Sequence, residues 1–337
     1  MAYVLRHRGP PQWAPLGEAA PIEAAVRHAR RTLAEPRDDG RPAVPAAEAR
    51  QALRALDALI YAPLRRALGA TPHLLLSPDG ALNLVPFEAL VDEQGRYRLQ
   101  TTRITYLGSG RDVLRMGERQ PSRSGPLLLA APDYGPGEKP FDRLRGALDE
   151  ATAAQGFFPT ASLRTGAQAT RDALLNAKGP SLVLLATHGF LQHPGLHAES
   201  EPRPTPPPPR RGTIVRELPP PDETGDPERA LERAGLAMAG ANQSLDAIVS
   251  GSDLAKLDLG GTKLVVLSAC ETGLGRLEDG EGVYGLRRAL SIAGAESQVV
   301  SLWNVDDAAT GQLMGAYFGA LRAGQGRSEA LRQARLG

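Results

Sequence analysis

Two residues of this chain could act together as a nucleophile and its base. Cys270 is the only cysteine in 337 residues, and it comes just after the apolar run from Leu264 to Leu267. His188 comes just after a second apolar run, which extends from Ser181 to Thr187. A thiol that gives its proton to a neighbouring imidazole becomes a thiolate nucleophile, and the imidazole can later protonate a leaving group. If the fold brings them together, the pair predicts acyl-transfer chemistry.

Both apolar runs are typical of buried β-strands that end in loops. Gly189 follows His188 directly, and Gly273 and Gly275 follow Cys270. Short apolar runs closed by glycines indicate strands, and the helical patterns between them favour a parallel α/β sheet with both faces covered. Reactive groups in such sheets gather beyond the carboxyl ends of the strands. We therefore expect Cys270 and His188 to lie at the same edge of one sheet.

Each of the two residues also has a purely structural interpretation. A lone cysteine is commonly a small buried hydrophobe. A lone histidine can be a core residue whose hydrogen bonds are satisfied within the fold. Residue types and strand ends alone leave both interpretations open.

Five sequence blocks follow one another in a specific order. Two of them are Ala186-Thr-His-Gly189 and Ser268-Ala-Cys-Glu-Thr-Gly273. The others are Pro78-Asp-Gly80 with Leu84-Val-Pro-Phe87, the block 280–286, and the block 301–307. Together they resemble the CHAT family, caspase-like and separase-like cysteine peptidases of clan CD that are often joined to tetratricopeptide repeats. The resemblance covers nearly the whole chain, although the caspase signature Q-A-C-[RQG]-G is met only loosely.

The resemblance implies a fold and an activity. The fold would be a caspase-like, doubly wound and mostly parallel sheet with helices on both faces. The activity would be that of a cysteine endopeptidase with His188 and Cys270 as its dyad, and the backbone N–H groups of Gly189 and Cys270 would form the oxyanion hole. No cofactor is implied. A backbone carbonyl is one way to orient the imidazole, because the sequence shows no third catalytic residue.

The resemblance also implies partners. Such proteases are commonly gated by a sensing module and serve regulated bacterial defence, including antiviral defence, or cell-death pathways. The substrate would be a specific protein partner, and the sensing module, such as tetratricopeptide repeats, would act in trans or belong to a longer chain. The family usually continues for one more block, so the chain is expected to be truncated at Gly337. The alternative is a catalytically silent CHAT-fold module for protein interaction.

Three residues near the end of a later apolar run are candidates for the substrate pocket. They are Trp303, Asp306 and Asp307. An aspartate in the pocket would favour arginine or lysine at the cleaved position through a charge-assisted hydrogen bond. The resemblance to separase points to Asp307. Asp306 has an equally good interpretation as the N-cap of the helix that follows.

The sequence predicts two parts. Residues 1–120 would be the N-terminal part of the CHAT domain, a pseudo-caspase-like half with a helical segment and a β-hairpin around Pro78-Asp79-Gly80. Residues 121–337 would be the catalytic caspase-like half. Within the helical segment, Pro63 is expected to kink or break the second helix, which covers residues 46–68.

A proline-rich stretch at about residues 192–229 interrupts the catalytic half. It contains few apolar residues, so burial cannot offset its ordering entropy, and we predict a flexible insertion. The family pattern resumes at the block 235–242. If the enzyme prefers basic residues, Arg210, Arg211 and Arg216 are candidates for self-cleavage. A solvated loop without processing is the alternative.

Composition limits which other classes of function we expect. A net charge of +1 gives no electrostatic reason to expect nucleic acid or acidic membranes as partners. A single cysteine excludes an intramolecular disulfide and fits a reducing cytoplasm. Residues 1–10 contain no apolar signal segment, and no later run is long enough to span a bilayer. His193 and His197 lie in the insertion without a nearby cysteine, so no metal site is expected.

A nucleotide- or small-molecule-binding α/β domain remains the second rival. The stretch Gly280-Glu-Gly-Val-Tyr-Gly285 fits the pattern G-x-G-x-x-G. However, about ten residues separate it from the preceding strand, whereas the dinucleotide fingerprint needs strand, turn and helix in close succession. The motif is therefore weak support for nucleotide binding.

Overall fold

A computed structural model of the chain describes residues 1–34, 45–118, 120–136, 141–191, 231, 234–268, 281–302 and 307–337. The N-terminal part begins with a two-stranded antiparallel sheet and continues with helices and a two-stranded parallel sheet. Its elements are β1 (Ala2–Val4), β2 (Gln12–Ala14), α1 (Ala19–Ala34), α2 (Ala46–Ile60), α3 (Arg65–Leu68), β3 (His73–Leu76), α4 (Arg98–Thr101), β4 (Arg103–Tyr106) and α5 (Asp112–Arg115).

The predicted break at Pro63 is confirmed. Helix α2 ends at Ile60, a 3₁₀ turn covers Ala62–Leu64, and α3 begins at Arg65. Proline cannot donate the hydrogen bond that a continuous helix needs at this position. The apolar faces of α1 and α2 pack together in a separate core with the segments that follow.

The predicted hairpin around Pro78-Asp79-Gly80 is wrong. Strand β3 pairs in parallel with β4, which lies some thirty residues later, and the register joins His73 to Arg103. The turn itself exists, because Gly80 has a positive φ of 52° and the Asp79 carboxylate accepts a hydrogen bond from the Gly80 N–H at 2.9 Å. The chain then enters a 3₁₀ helix, Gly80–Leu84, whose last leucine is buried in the N-terminal core. The residues after the turn therefore pack into this core and do not form the second strand of a hairpin.

The C-terminal part is an α/β unit built on a parallel sheet. Its elements are β5 (Leu127–Pro132), α6 (Arg145–Phe157), β6 (Ser162–Gly166), α7 (Arg171–Leu175), β7 (Leu182–Ala186), β8 (Gly189–Leu191), β9 (Ala234–Ala237), β10 (Ile248–Ser250), α8 (Gly251–Ala255), β11 (Leu264–Leu267), α9 (Glu281–Ile292), β12 (Gln298–Val300), α10 (Asp307–Arg322) and α11 (Arg327–Leu336).

The five-stranded sheet has the order β12-β11-β7-β5-β6, with all strands parallel. Alternate residues of the central strands point to opposite faces, as the pleat requires. Leu184 and Val266 join the core formed with α6, α10 and α11, whereas Leu185 and Leu267 join the core formed with α7, α8 and α9. The predicted α/β fold with helices on both faces is confirmed.

A second, three-stranded sheet stands beyond the carboxyl end of β7. Its order is β10-β9-β8, all antiparallel, and the sequence patterns did not predict it. The chain passes from β7 through Thr187 and His188 directly into β8. The predicted flexible insertion, residues 192–229, lies outside the described residues, between β8 and β9.

The final helix, α11, joins the two parts of the chain. Thr105 of β4 donates a hydrogen bond to the Ser328 hydroxyl at 3.0 Å. Arg332 donates to the carbonyl oxygens of Leu99 at 2.7 Å and Gln100 at 3.1 Å. The N-terminal part is therefore packed against the α/β unit through a helix of that unit.

Candidate active site

His188 lies just past the carboxyl end of β7, which is the central strand of the parallel sheet. Its side chain is buried, and the residue is 3% exposed. The neighbouring strand β11 runs parallel to β7, with Leu185 opposite Leu267. The pairing continues one residue further, because the Ser268 N–H donates to the Leu185 carbonyl at 2.9 Å. The structure thus places His188 at the edge where the sequence predicted it.

The imidazole of His188 is held by the loop that follows β5. Its Nε2 atom lies 2.7 Å from the carbonyl oxygen of Asp142. The rings of Tyr134 and Phe141 pack against it, with centroids 5.2 and 5.6 Å away. A carbonyl oxygen only accepts hydrogen bonds, so Nε2 carries the proton, and in the neutral ring the lone pair belongs to Nδ1. The backbone carbonyl that holds the imidazole is that of Asp142.

Burial lowers the pKa of His188 below its usual value of 6.5. The loss of hydration is the largest cause, and the hydrogen bond to the Asp142 carbonyl and the charge of Asp142 oppose it. Because the charged imidazolium is the form that burial disfavours, the lowered pKa favours the neutral ring. A neutral imidazole is the form that can accept a proton.

A chain of three hydrogen bonds fixes the backbone at His188. The His188 N–H donates to the Tyr134 hydroxyl at 3.3 Å, and that hydroxyl lies 3.0 Å from the Thr187 hydroxyl. Thr187 in turn donates to the carbonyl of Ala237 in β9. Since the Thr187 proton is used there, Tyr134 is the donor to Thr187 and the acceptor from His188. Burial raises the pKa of Tyr134, which keeps its hydroxyl protonated.

The turn that delivers Tyr134 is strained. Ala131, near the end of β5, has a φ of 45°, and the register of β5 against β6 shifts between Ala130 and Pro132. A positive φ is uncommon outside glycine, and such conformations cluster at functional sites. The bulge redirects the chain after β5, so that Tyr134 and Phe141 reach the imidazole.

The backbone N–H of Gly189 points away from the small antiparallel sheet. Gly189 lies opposite Leu236, and the preceding pair is joined by a hydrogen bond from the Ala237 N–H to the His188 carbonyl at 2.9 Å. Hydrogen-bonded and non-hydrogen-bonded pairs alternate in an antiparallel ladder, so the Gly189 N–H faces away from β9. This is the donor that the resemblance assigned to the oxyanion hole.

Ser268 directly follows β11 and is the last residue described before residue 281. Its hydroxyl donates to the carboxylate of Glu150 at 2.6 Å. Glu150 is a buried residue of α6. This bond ties the beginning of the block 268–273 to the helix that covers the sheet.

The family comparison covers most of the chain. Residues 50–337 match the family model of the CHAT domain. The chain belongs to the CHAT domain family. This family is related to the caspase-like peptidases, so the resemblance seen in the sequence is confirmed. A comparison with curated proteins gave no match.

The matched range places part of the N-terminal region outside the family. Strands β1 and β2 and helix α1 precede residue 50. The predicted division at residues 120 and 121 stays a prediction, although the core of the N-terminal part lies on one side of it and the cores on the two faces of the sheet lie on the other.

Several predicted site residues lie outside the described part of this CHAT domain. Cys270 is one of them, because the description stops at Ser268 and resumes at residue 281. Trp303 and Asp306 are also outside it, and so are Arg210, Arg211 and Arg216. Asp307 is the first residue of α10, and nothing is described of its side chain. Their assigned roles stay predictions.

Sequence reasoning missed the residues that hold His188. Tyr134, Phe141 and Asp142 all belong to the loop after β5, which ends at the same edge of the sheet. The strand-end rule that located His188 would have found this loop if it had been applied to β5 as well. In the structure, the packing that marks this loop is a small apolar cluster of four residues: Tyr134, Phe141, Ala237 and Ala241.

Among the described residues, no group of three or more histidine, cysteine, aspartate or glutamate side chains could hold a metal ion. In that same part of the chain, no helix combines the length and apolarity needed to cross a membrane.

Proposed function

We propose that this CHAT domain is a cysteine endopeptidase that cleaves a specific protein partner. Cys270 is the nucleophile, and His188 is the general base and then the general acid. The observation that carries the proposal is the His188 imidazole, which is buried just past the carboxyl end of β7 and bonded through Nε2 to the Asp142 carbonyl, with a pKa that burial lowers. A histidine that only fills a core needs no position beyond the end of a central strand.

The strand register supports the pairing of His188 with Cys270. Leu185 and Leu267 are partners, and His188 and Cys270 each follow three residues later. Neighbouring strands lie about 4.8 Å apart. Cys270 is two residues from Ser268, so an extended backbone carries its Cα no further than about 7 Å from that of Ser268. Both side chains therefore have the same edge within reach.

The proposed reaction proceeds by proton transfer and acyl transfer. The Nδ1 atom of His188 accepts the thiol proton as Sγ attacks the scissile carbonyl carbon. The N–H groups of Gly189 and Cys270 donate to the resulting oxyanion. The imidazolium then protonates the leaving amine, which leaves a thioester. Water, deprotonated by His188, hydrolyses the thioester and restores the thiol.

Substrate recognition and regulation follow from the family as proposals. Asp307, with Asp306 and Trp303 near it in sequence, would favour arginine or lysine at the cleaved position. A sensing module, such as tetratricopeptide repeats in trans or in a longer chain, would gate the enzyme in a bacterial defence or cell-death pathway. A thiol nucleophile must stay reduced, so we expect a cytoplasmic location.

Covalent labelling tests the proposal. The chain is incubated with a peptidyl acyloxymethyl ketone that carries arginine at the position next to the warhead, and the intact mass is measured. We expect one adduct on Cys270, none with Cys270→Ala, and a much slower reaction with His188→Ala. Co-expression with proteins encoded beside the gene, against the Cys270→Ala control, then identifies the cleaved partner. Absence of an adduct in every condition contradicts the proposal and favours the silent interaction module.

The same mass measurement tests self-cleavage in the insertion. Processing at Arg210, Arg211 or Arg216 would yield two fragments from the wild-type chain but not from Cys270→Ala. A single intact mass after prolonged incubation removes this part of the proposal.

A further inference from the structure

The side chain of Asn242 makes three hydrogen bonds to the backbone of the loop that orients His188. Its Nδ2 atom donates to the carbonyl oxygens of Phe141 at 3.0 Å and Gly135 at 3.2 Å. Its Oδ1 atom accepts from the N–H of Phe141 at 3.2 Å. The backbone N–H of Asn242 also donates to the carbonyl of Tyr134 at 2.9 Å. One residue thus fastens both ends of the loop.

These bonds end on Tyr134 and on the neighbour of Asp142, and Tyr134 and Asp142 are the two residues of the loop that bond to His188. Phe141, whose N–H and carbonyl are both held, directly precedes Asp142, whose carbonyl accepts from Nε2 of His188. At the other end, the held carbonyl belongs to Tyr134, whose hydroxyl accepts from the His188 N–H. The position of Asn242 therefore determines where both partners of His188 stand.

We propose that Asn242 is a positioning residue of the active site. It touches neither substrate nor the reacting atoms, but it fixes Tyr134 and Asp142, and through them the ring of His188. Its effect on catalysis rests on the proposed peptidase function. Its effect on the imidazole does not. The proposal also gives a role to the last residue of the sequence block 235–242.

The chemistry requires a carboxamide at this position. Two of the three bonds need an N–H donor directed at a carbonyl oxygen, and the third needs an acceptor. An aspartate has the shape of asparagine, but its carboxylate would face the carbonyl oxygens of Gly135 and Phe141 without a proton to share. Alanine would leave all three backbone groups without these bonds.

The test compares matched substitutions in the full chain. Asn242→Asp and Asn242→Ala remove the donors, while Asn83→Asp makes the same chemical change in the N-terminal part, where Asn83 donates to the Gly80 carbonyl at 3.2 Å. Using hydrolysis of a peptide or the identified partner, we expect both Asn242 variants to lower kcat roughly ten- to hundredfold with KM nearly unchanged, because the base is misplaced. Asn83→Asp should match the wild type.

An NMR measurement provides a readout that does not depend on activity. In the wild-type chain and in Asn83→Asp, the Nε2–H proton of His188 should be visible and slow to exchange with water, because the Asp142 carbonyl holds it. In both Asn242 variants it should be lost to exchange, and the His188→Gln spectrum assigns the signal. If the wild type cleaves nothing, this signal still decides whether Asn242 positions the ring.

The wild-type chain alone keeps the proposal testable if the variants do not fold. The Phe141 N–H is then expected to be protected in hydrogen exchange, together with the Nε2–H of His188. A rapidly exchanging Phe141 N–H overturns the proposal. So does an unchanged Nε2–H signal with unchanged kcat in folded Asn242→Ala.

Discussion

Two histidines of this molecule, His73 and His188, both have pKa values lowered mainly by burial, but their surroundings differ. His73 is the first residue of β3, whereas His188 lies past the end of β7. At His73, Arg103 donates to Nδ1 at 3.0 Å, and Nε2 lies 2.9 Å from the Thr105 hydroxyl. An arginine therefore occupies the lone pair of His73, and its charge lowers the pKa further.

The comparison shows that a lowered pKa does not by itself identify a catalytic base. At His188 a carbonyl holds the ring through its N–H, which assigns the lone pair to the other nitrogen. At His73 an arginine of β4 donates to the ring nitrogen that carries the lone pair. This histidine therefore links β3 to β4. The position in the fold and the ring nitrogen that each neighbour engages separate the two roles.

The largest expected effect comes from exchanging the two histidines for alanine. His188→Ala should slow covalent labelling of Cys270 by the arginine-directed probe roughly a hundredfold or more, because the proposed general base is lost. His73→Ala should change the rate less than about twofold, although it removes two hydrogen bonds. Mass spectrometry over time gives both rates. An equal loss of labelling rate in the two variants would show that the different surroundings of the two histidines do not affect the reactivity of Cys270.

The next effect tests the backbone support of His188. Tyr134→Phe removes the hydroxyl that joins the His188 N–H to the Thr187 hydroxyl, so both buried groups lose a hydrogen-bond partner. We expect the free energy of unfolding to fall by about 1–3 kcal/mol. Tyr3→Phe is the control, because Tyr3 is exposed on β1. Urea unfolding measures both variants. If Tyr134→Phe unfolds at the same urea concentration as the control, the hydrogen-bond chain does not stabilise the site.

The pH dependence of stability tests both histidines together. Their folded pKa values lie below 6.5, so the unfolded chain binds more protons as pH falls through that value. The contribution of neutral histidine is therefore present above pH 6.5 and is lost as pH falls through the folded pKa. His73→Gln and His188→Gln should each weaken this dependence in urea titrations between pH 5 and 7.5. Variants with the wild-type slope would show that neither ring is desolvated.

The smallest effect concerns the strained turn beside the site. Ala131 is the one non-glycine residue with positive φ in the described part of the chain. Ala131→Gly relieves a steric cost of about 1–2 kcal/mol but increases the entropy of the unfolded chain. We expect a net stabilisation of up to about 1 kcal/mol by thermal unfolding, with His188 unchanged. A clear destabilisation would show that the turn is not strained.

The sequence predicted the elements whose patterns are local. The apolar runs before His188 and Cys270 became β7 and β11, and Pro63 ended a helix as expected. Helices on both faces followed from the alternation of strands and helical patterns. The placement of His188 needed only the direction of parallel strands.

Features that depend on distant partners could not be predicted. The pairing of β3 with β4 depends on which segment covers the strand, and the turn at Gly80 gave the wrong partner. Strands β8 and β9 are short and contain glycine, so they have no alternating pattern. The Asp142 carbonyl has no sequence signal at all, because every residue has one. Asn242 was visible in a sequence block, but its hydrogen bonds depend on the folded loop.

The most direct test of the central claim is the reactivity of the single thiol. Cys270 is alkylated with iodoacetamide at pH 7 in the wild-type chain, in His188→Ala and in His73→Ala, and the rates are measured by mass. If His188 accepts the thiol proton, the wild type and His73→Ala should react alike, and His188→Ala roughly tenfold more slowly. Equal rates in all three chains would show that His188 and Cys270 do not form a dyad.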